Sequence, residues 1–197
     1  MEVDARMKAL GEIGPRRLLR FAWLSLAMLP YRMAVFPPIR IAWLRLLGAR
    51  IGRDCVLHEV RFFNLYRRGL KGLDVGDECF IGDECLLDLA EGIRLEARVT
   101  LAERVLVLTH TNVGYADHPL QKRFPPHAAP VVFHSGAFVG ANATILPGLS
   151  VGARSFVAAG SVVTRDVPDD ALVAGVPART IRRLDARDNG EKSVDRR

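Results

Sequence analysis

The chain has few aromatic residues, three cysteines and no long apolar run, and each shortage closes off a class of protein. Phe, Trp and Tyr make up 7% of its 197 residues, too few for a core of large rings. Ala, Val, Gly and Ile crowd the second half instead, which suits repetitive strands. Cys55, Cys79 and Cys85 are odd in number, and the N-terminus lacks a small-residue cleavage pattern. A disulfide framework is therefore not expected, and a reducing, cytoplasmic setting is. The uncharged stretch from Phe21 to Tyr31 falls far short of the ~20 residues that span a bilayer. The net charge of +6 concentrates at the two ends and favours acidic partners such as phosphates or anionic lipid. No basic stripe with interleaved aromatics runs through the middle, so no nucleic-acid partner is expected.

Residues 1–50 form an apolar and basic segment. In "PRRLLRFAWLSLAMLPYRMAVFPPIRIAWLRLLGAR", Pro30, Pro37 and Pro38 divide the pattern into two short helices. Arg-flanked apolar helices can lie in a membrane interface with their Arg heads among the phosphates. They can equally dock on the fold or on a partner subunit. Residues 15–48 thus allow a peripheral contact with the inner membrane face, and docking is the alternative.

From Val75 the chain can be cut in sixes: "VGDECF IGDECL LDLAEG IRLEAR VTLAER VLVLTH". The blocks open on Val75, Ile81, Leu87, Ile93, Val99 and Val105. The same ruler fits "FHSGAF VGANAT ILPGLS VGARSF VAAGSV VTRDVP" from Phe133, and Ile51 and Leu57 share the first phase. A six-residue period fits neither an amphipathic helix nor an alternating strand. It fits a short strand plus a tight turn, three of which make one coil of a triangular β-helix. Openers point inward, and the fifth place, near a corner, takes a small side chain. Gly at the second place, with Asp-Glu or Ala-Asn beside it, allows the corner's backbone angles. Cys55, Cys79 and Cys85 all hold a fifth place, so they read as small buried hydrophobes rather than metal ligands. "LEARVTLAER" lacks corner Gly and Asn, so that coil is expected to be irregular.

The segment "FVGANATILPGLSVGARSFVAAGSVVTRDVPDDALVAGVPARTIRRL" resembles the hexapeptide-repeat acyltransferases. More narrowly it is similar to the maltose, galactoside and colanic-acid-type O-acetyltransferases. The likeness runs from about Ile51 to Leu184 and is most specific from Pro130 onward, ending on "AGVPAR". It implies a mainly β fold, a left-handed parallel β-helix over 51–178 behind the helical segment 1–50. It also implies a loop projecting at about 111–131. Residues 179–197 read as a basic segment and, after Leu184, a mobile tail, because "DARDNGEKSVDRR" is charged and lacks apolar periodicity. A homotrimer with sites between subunits, and acetyl-CoA as co-substrate without a metal, follow from the same likeness.

The two repeat runs are out of phase, so the chain leaves the coil after His110 and rejoins near Val131. Such an excursion inside a solenoid is usually functional. It holds His110, His118 and His127, with His134 just beyond. Acyl transfer needs a base for the acceptor's proton, and histidine suits that work. His110 ends the strand "VLVLTH", anchored by the scaffold, and matches the family's catalytic position. His118, in "DHPL", is the competitor and a candidate acceptor contact. A zinc site, as in β-helix carbonic anhydrases, fits the histidine spacing poorly.

The resemblance assigns Asp88 to acceptor binding and Ala141 to the thioester carbonyl. It assigns Ala159 and Gly160 to the pantetheine arm, and Thr164, Arg165, Arg179 and Arg182 to the nucleotide end of CoA. The expected reaction is O-acetylation of a saccharide or glycan-precursor hydroxyl. An N-acyltransferase of an amino-sugar nucleotide and a non-catalytic assembly module are the rivals.

Overall fold

The computed structural model describes residues 14–184. Two-residue and three-residue strands stack into three flat parallel faces. The first face runs Arg50–Ile51, Leu73–Val75, Ile93–Leu95, Val131–Phe133 and Ser150–Val151. The second begins at Val56–Leu57 and ends on Ala171–Gly175 and Ala178–Arg183. The third comprises Arg61–Phe63, Leu86–Asp88, Leu106–Val107, Thr144–Ile145 and Val162–Val163. Openers such as Ile81, Leu101, Val139 and Val157 are fully buried and form one continuous core. Cys79 and Cys85 are buried within it, and burial pushes both thiols up to about 11, so neither is a nucleophile at neutral pH.

The register corrects the six-residue ruler in one place. Val75 pairs with Leu95, Ile81 with Leu101 and Leu87 with Val107, a step of twenty residues. The openers after Leu87 are therefore Leu95, Leu101 and Val107, not Ile93, Val99 and Val105. Val99 and Val105 fill the fifth place beside Cys79 and Cys85, and both are buried. Two extra residues enter at the corner Asp88–Gly92, where "LDLAEG" bulges out of the repeat. From Phe133 the step is eighteen, as the period requires.

The corners use the second and fourth places differently. The left-handed backbone sits at the fourth place, in Glu78, Glu84, Asn142 and Arg154 among others. Second-place glycines serve close stacking instead. A Cβ on Gly140 would lie 2.6 Å from the Ala159 nitrogen in the next coil. "LEARVTLAER" forms a regular coil because Arg98 and Arg104 adopt φ 61° and 58° themselves. Arg98 is held there by its ion pair with Glu78 at 2.9 Å.

Among the described residues three helices precede the prism, where two were expected: α1 (Pro15–Ala27), α2 (Leu29–Met33) and α3 (Pro37–Leu46). Each has proline in its first turn, where the missing N–H costs nothing, so Pro30 starts a helix rather than ending one. Leu24, Met28, Tyr31, Ile41 and Leu44 are buried against neighbouring segments. The Tyr31 hydroxyl donates to the Val60 carbonyl at 3.1 Å and accepts from the Val60 amide at 3.0 Å. Burial pushes it up to about 12. The segment thus docks on the fold by one side. Its other side leaves Trp23, Leu26, Met33, Phe36 and Leu46 exposed.

At the far end, residues 178–183 form a strand. They turn back antiparallel on Ala171–Gly175. The expected mobile tail after Leu184 lies outside the described residues.

Candidate active site

After each strand of the third face the chain turns a corner, and successive coils stack their corners in a column. The column holds Asp88, then Thr109 and His110, then Leu146 to Gly148, then Thr164 and Arg165. His110 opens a two-residue antiparallel ladder, His110–Thr111 against His127–Ala128. That ladder is the neck of the projecting loop and holds the His110 backbone still. The loop itself spans residues 112–126.

Asp88 is fully buried directly behind His110. Its Oδ2 accepts from His110 Nδ1 and from the Thr109 amide at 3.0 Å. Its Oδ1 accepts from Asn64 Nδ2 at 2.7 Å and from the Ala90 amide at 3.0 Å. Burial pushes this carboxyl up, but the Asn64, His110, Thr109 and Ala90 donors outweigh burial and hold it below the ordinary carboxylate range. A carboxylate only accepts, so Nδ1 of His110 carries the proton and Nε2 carries the lone pair. The imidazole is 27% exposed at the side chain, and Nε2 has no hydrogen-bond partner among the described residues. The arrangement is a base with a buried orienting carboxylate, the geometry that lets a histidine take a proton and hold the resulting charge.

Asp88, expected to bind the acceptor, is fully buried with both oxygens engaged by protein donors, one of them His110 Nδ1. Asn64, which the repeat pattern did not single out, completes the group. Its left-handed backbone, φ 58°, directs its side-chain amide to the Asp88 carboxylate. Thr109 braces the site from behind: its hydroxyl donates to the Asp88 carbonyl at 2.8 Å and accepts from the Glu91 amide at 2.9 Å.

The other histidines stand apart. His118 is exposed on the loop, where its Nδ1 accepts from the Leu120 amide at 3.2 Å. His127 is exposed at the loop's return. His134 bonds Glu96 and Ser150 across neighbouring coils at 3.2 and 2.9 Å. No group of three or more metal-ligating side chains occurs among the described residues.

The remaining candidates lie on two corners. Thr164 and Arg165 share the His110 column, two coils further on. Ala141, Ala159 and Gly160 stack on the opposite edge of the third face, with the Gly160 amide donating to the Ala141 carbonyl at 2.8 Å. Around Gly160, φ 69°, an added Cβ would meet nothing within 4 Å, so that edge is open. Arg179 and Arg182 project from the antiparallel end strand and are exposed.

Residues 72–102 and 135–165, the two regular runs on either side of the loop, match the hexapeptide repeat of succinyl-transferase. Galactoside O-acetyltransferase of Escherichia coli is 33% identical over 94 residues, 46% of this chain and 46% of that one. The 2,3,4,5-tetrahydropyridine-2,6-dicarboxylate N-acetyltransferase of Staphylococcus aureus is 44% identical over 70 residues, 36% of this chain and 29% of that one. The segments matched in the curated relatives span 29% to 61% of those proteins. The crystal structure of a hexapeptide-repeat-containing acetyltransferase from Vibrio cholerae superposes with a TM-score of 0.72 at 26% identity, covering 87% of this chain and 94% of that one. A second structure of the Vibrio protein holds acetyl coenzyme A, with a TM-score of 0.61, 24% identity and coverage of 83% and 86%. Coil geometry, the matched repeats and this superposition agree: the chain carries hexapeptide repeats on a left-handed parallel β-helix, the fold of the acetyltransferases it resembles.

Proposed function

We propose that the chain transfers an acetyl group from acetyl-CoA to a saccharide hydroxyl, with His110 as general base. The buried Asp88 behind His110 carries this reading. Asp88 keeps the imidazole in one tautomer, so Nε2 faces the acceptor. As Nε2 takes the hydroxyl proton, the oxygen attacks the thioester carbonyl, and the Asp88 carboxylate stabilises the imidazolium that forms. The proton then passes to the departing CoA thiolate. Ala141, with no side-chain hydroxyl, has only its backbone N–H to offer the oxyanion. Thr164, Arg165, Arg179 and Arg182 meet the nucleotide phosphates. His118 on the loop contacts the acceptor.

The two groups of candidates occupy different corners of one prism. A trimer reconciles them, since one subunit's His110 column then faces the Ala159–Gly160 edge of the next. The exposed side of α1–α3 carries arginines and no Asp or Glu between Pro15 and Arg50, which suits a peripheral contact with anionic lipid at the inner face. No helix among the described residues is long and apolar enough to cross a membrane.

Amine acceptors are the second reading, favoured by the 44% identity to an N-acetyltransferase. Thiol release from acetyl-CoA over a panel of saccharides and amino sugars decides between them. His110→Ala should lower kcat by about 10²–10⁴ while CoA affinity holds. Full turnover in that variant, with loss in His118→Ala, would move the base to the loop.

A further inference from the structure

A second cleft opens beside the dyad, and its walls are arginine. Arg16, Arg17 and Arg20 of α1 face Arg67 and Arg68 of the short helix Leu65–Arg68 across a cavity of about 330 Å³. Glu91 is the single acidic side chain lining it among the described residues, and it pairs with Arg68 at 2.8 Å. Five exposed guanidinium groups against one carboxylate leave a strong positive excess in an open surface cleft.

The cleft is built, not incidental. Arg20 Nη1 donates to the Arg67 carbonyl at 2.9 Å, which ties α1 to the opposite wall. Its Nη2 lies 3.2 Å from where a Cβ on Gly69 would sit, so glycine there, at φ 66°, leaves room for the guanidinium. The floor is Ala90 and Glu91, the two-residue bulge that breaks the repeat. That floor is bonded to the dyad itself. The Ala90 amide donates to the Asp88 carboxylate, and the Glu91 amide donates to Thr109, the residue before His110. A group held in this cleft is therefore fixed relative to the base.

We infer that the arginine cleft between α1 and residues 67–68 binds a phosphoryl group of the acceptor, so the substrate is a phosphorylated saccharide. Planar guanidinium forks match phosphate oxygens, and several of them suit a diphosphate. The floor of the cleft lies one coil before His110 along the prism, and the Thr164–Arg165 corner assigned to CoA lies two coils beyond it. The cleft thus anchors the acceptor and leaves the donor site untouched. Further along the same face of α1, a groove of about 930 Å³ with mixed walls, Phe21, Met28 and Phe62 beside Glu59 and Arg61, shares Tyr66 with the cleft and has room for a carrier beyond the phosphate. The phosphoryl group can thus belong to a soluble sugar phosphate or to a lipid-linked sugar.

This inference rests on the acetyltransferase reading, but its test does not. Inorganic pyrophosphate is titrated calorimetrically into the full chain saturated with CoA, which fills the donor site. CoA affinity is measured separately, so its loss would count against the enzyme reading alone. Arg17→Gln combined with Arg67→Gln spares Arg20 and Arg68, whose bonds hold the cleft together. Pyrophosphate should bind the wild type and His110→Ala alike, and the double variant at least about tenfold more weakly, with CoA affinity unchanged. Flotation with vesicles of phosphatidylcholine and phosphatidylglycerol in equal parts runs beside it. Equal pyrophosphate binding by wild type and double variant overturns the inference. So does failure of the wild type to bind pyrophosphate, and arginine-dependent flotation in that case reassigns the cleft to the bilayer surface.

Discussion

Four donors converge on the two oxygens of Asp88, and that crowding makes the residue a test of both chemistry and stability. Asn at this position keeps the volume but turns an NH₂ toward groups that are themselves donors. Asp88→Asn should lower turnover by about 10²–10⁴ through the wrong tautomer of His110. It should also destabilise the fold by about 1–3 kcal/mol, read from thermal melts, because a buried donor loses its acceptor. The pH dependence has a definite sign. Because the carboxyl is held below its ordinary value, its contribution is full above that value, about 3.9, and fades as pH falls through the lower folded one. The gap in Tm between wild type and Asp88→Asn should therefore narrow below about pH 4. His110 was legible in the sequence because an apolar strand block runs unbroken up to it. The role of Asp88 was not. Its partner depends on how long one coil is, and two added residues at 88–92 set that length without any periodic mark. Asn64 lies in an irregular turn where no period exists to read.

Within the coils, the second and fourth places divide the labour that the sequence assigns jointly to Gly and the Asp-Glu or Ala-Asn beside it. The fourth place turns the chain, and charged residues such as Glu84 and Arg104 accept its left-handed angles. The second place lets one coil lie on the next. Gly140→Ala should accordingly cost about 1–3 kcal/mol or more by overpacking, since its Cβ would meet the Ala158 and Ala159 backbone, which cannot swing aside. A melting curve of the purified variant checks it, and an unchanged Tm would show that the coils can part locally. The strands themselves were legible from residue spacing, because openers and fifth places recur every six residues. The helices were legible in kind but not in number. Pro30 reads as a breaker along the sequence, yet its first-turn position in α2 makes it harmless.

At the scale of the molecule, two predictions concern surfaces that one chain leaves open. Light scattering on the eluting protein should give three times the 21.7 kDa chain mass. A monomer that still turns over acetyl-CoA would refute the shared site. Vesicles containing anionic lipid should carry the full chain in flotation, and salt should weaken that binding. A chain starting near Ile51 is a poor control because α3 packs on Val56–Leu57. Trp23→Glu with Phe36→Glu is better, since both side chains are exposed and the core is spared. Equal flotation of wild type and variant would assign the apolar side to a protein neighbour.

The ladder register also bears on how the chain reaches its final shape. Neighbouring coils pair residues sixteen to twenty-five positions apart, except across the projecting loop, where Leu95 meets Phe133 thirty-eight positions on. At equilibrium that longer closure costs only about 0.6 kcal/mol extra. In time it matters more, because a solenoid propagates from neighbour to neighbour and the longest closure is the slowest. The seam falls between His110 and the Thr164–Arg165 corner. A chain paused there has its base and carboxylate in place while the rest of the column is unformed. Regain of catalysis would then report the crossing of this seam, later than any signal from the first coils.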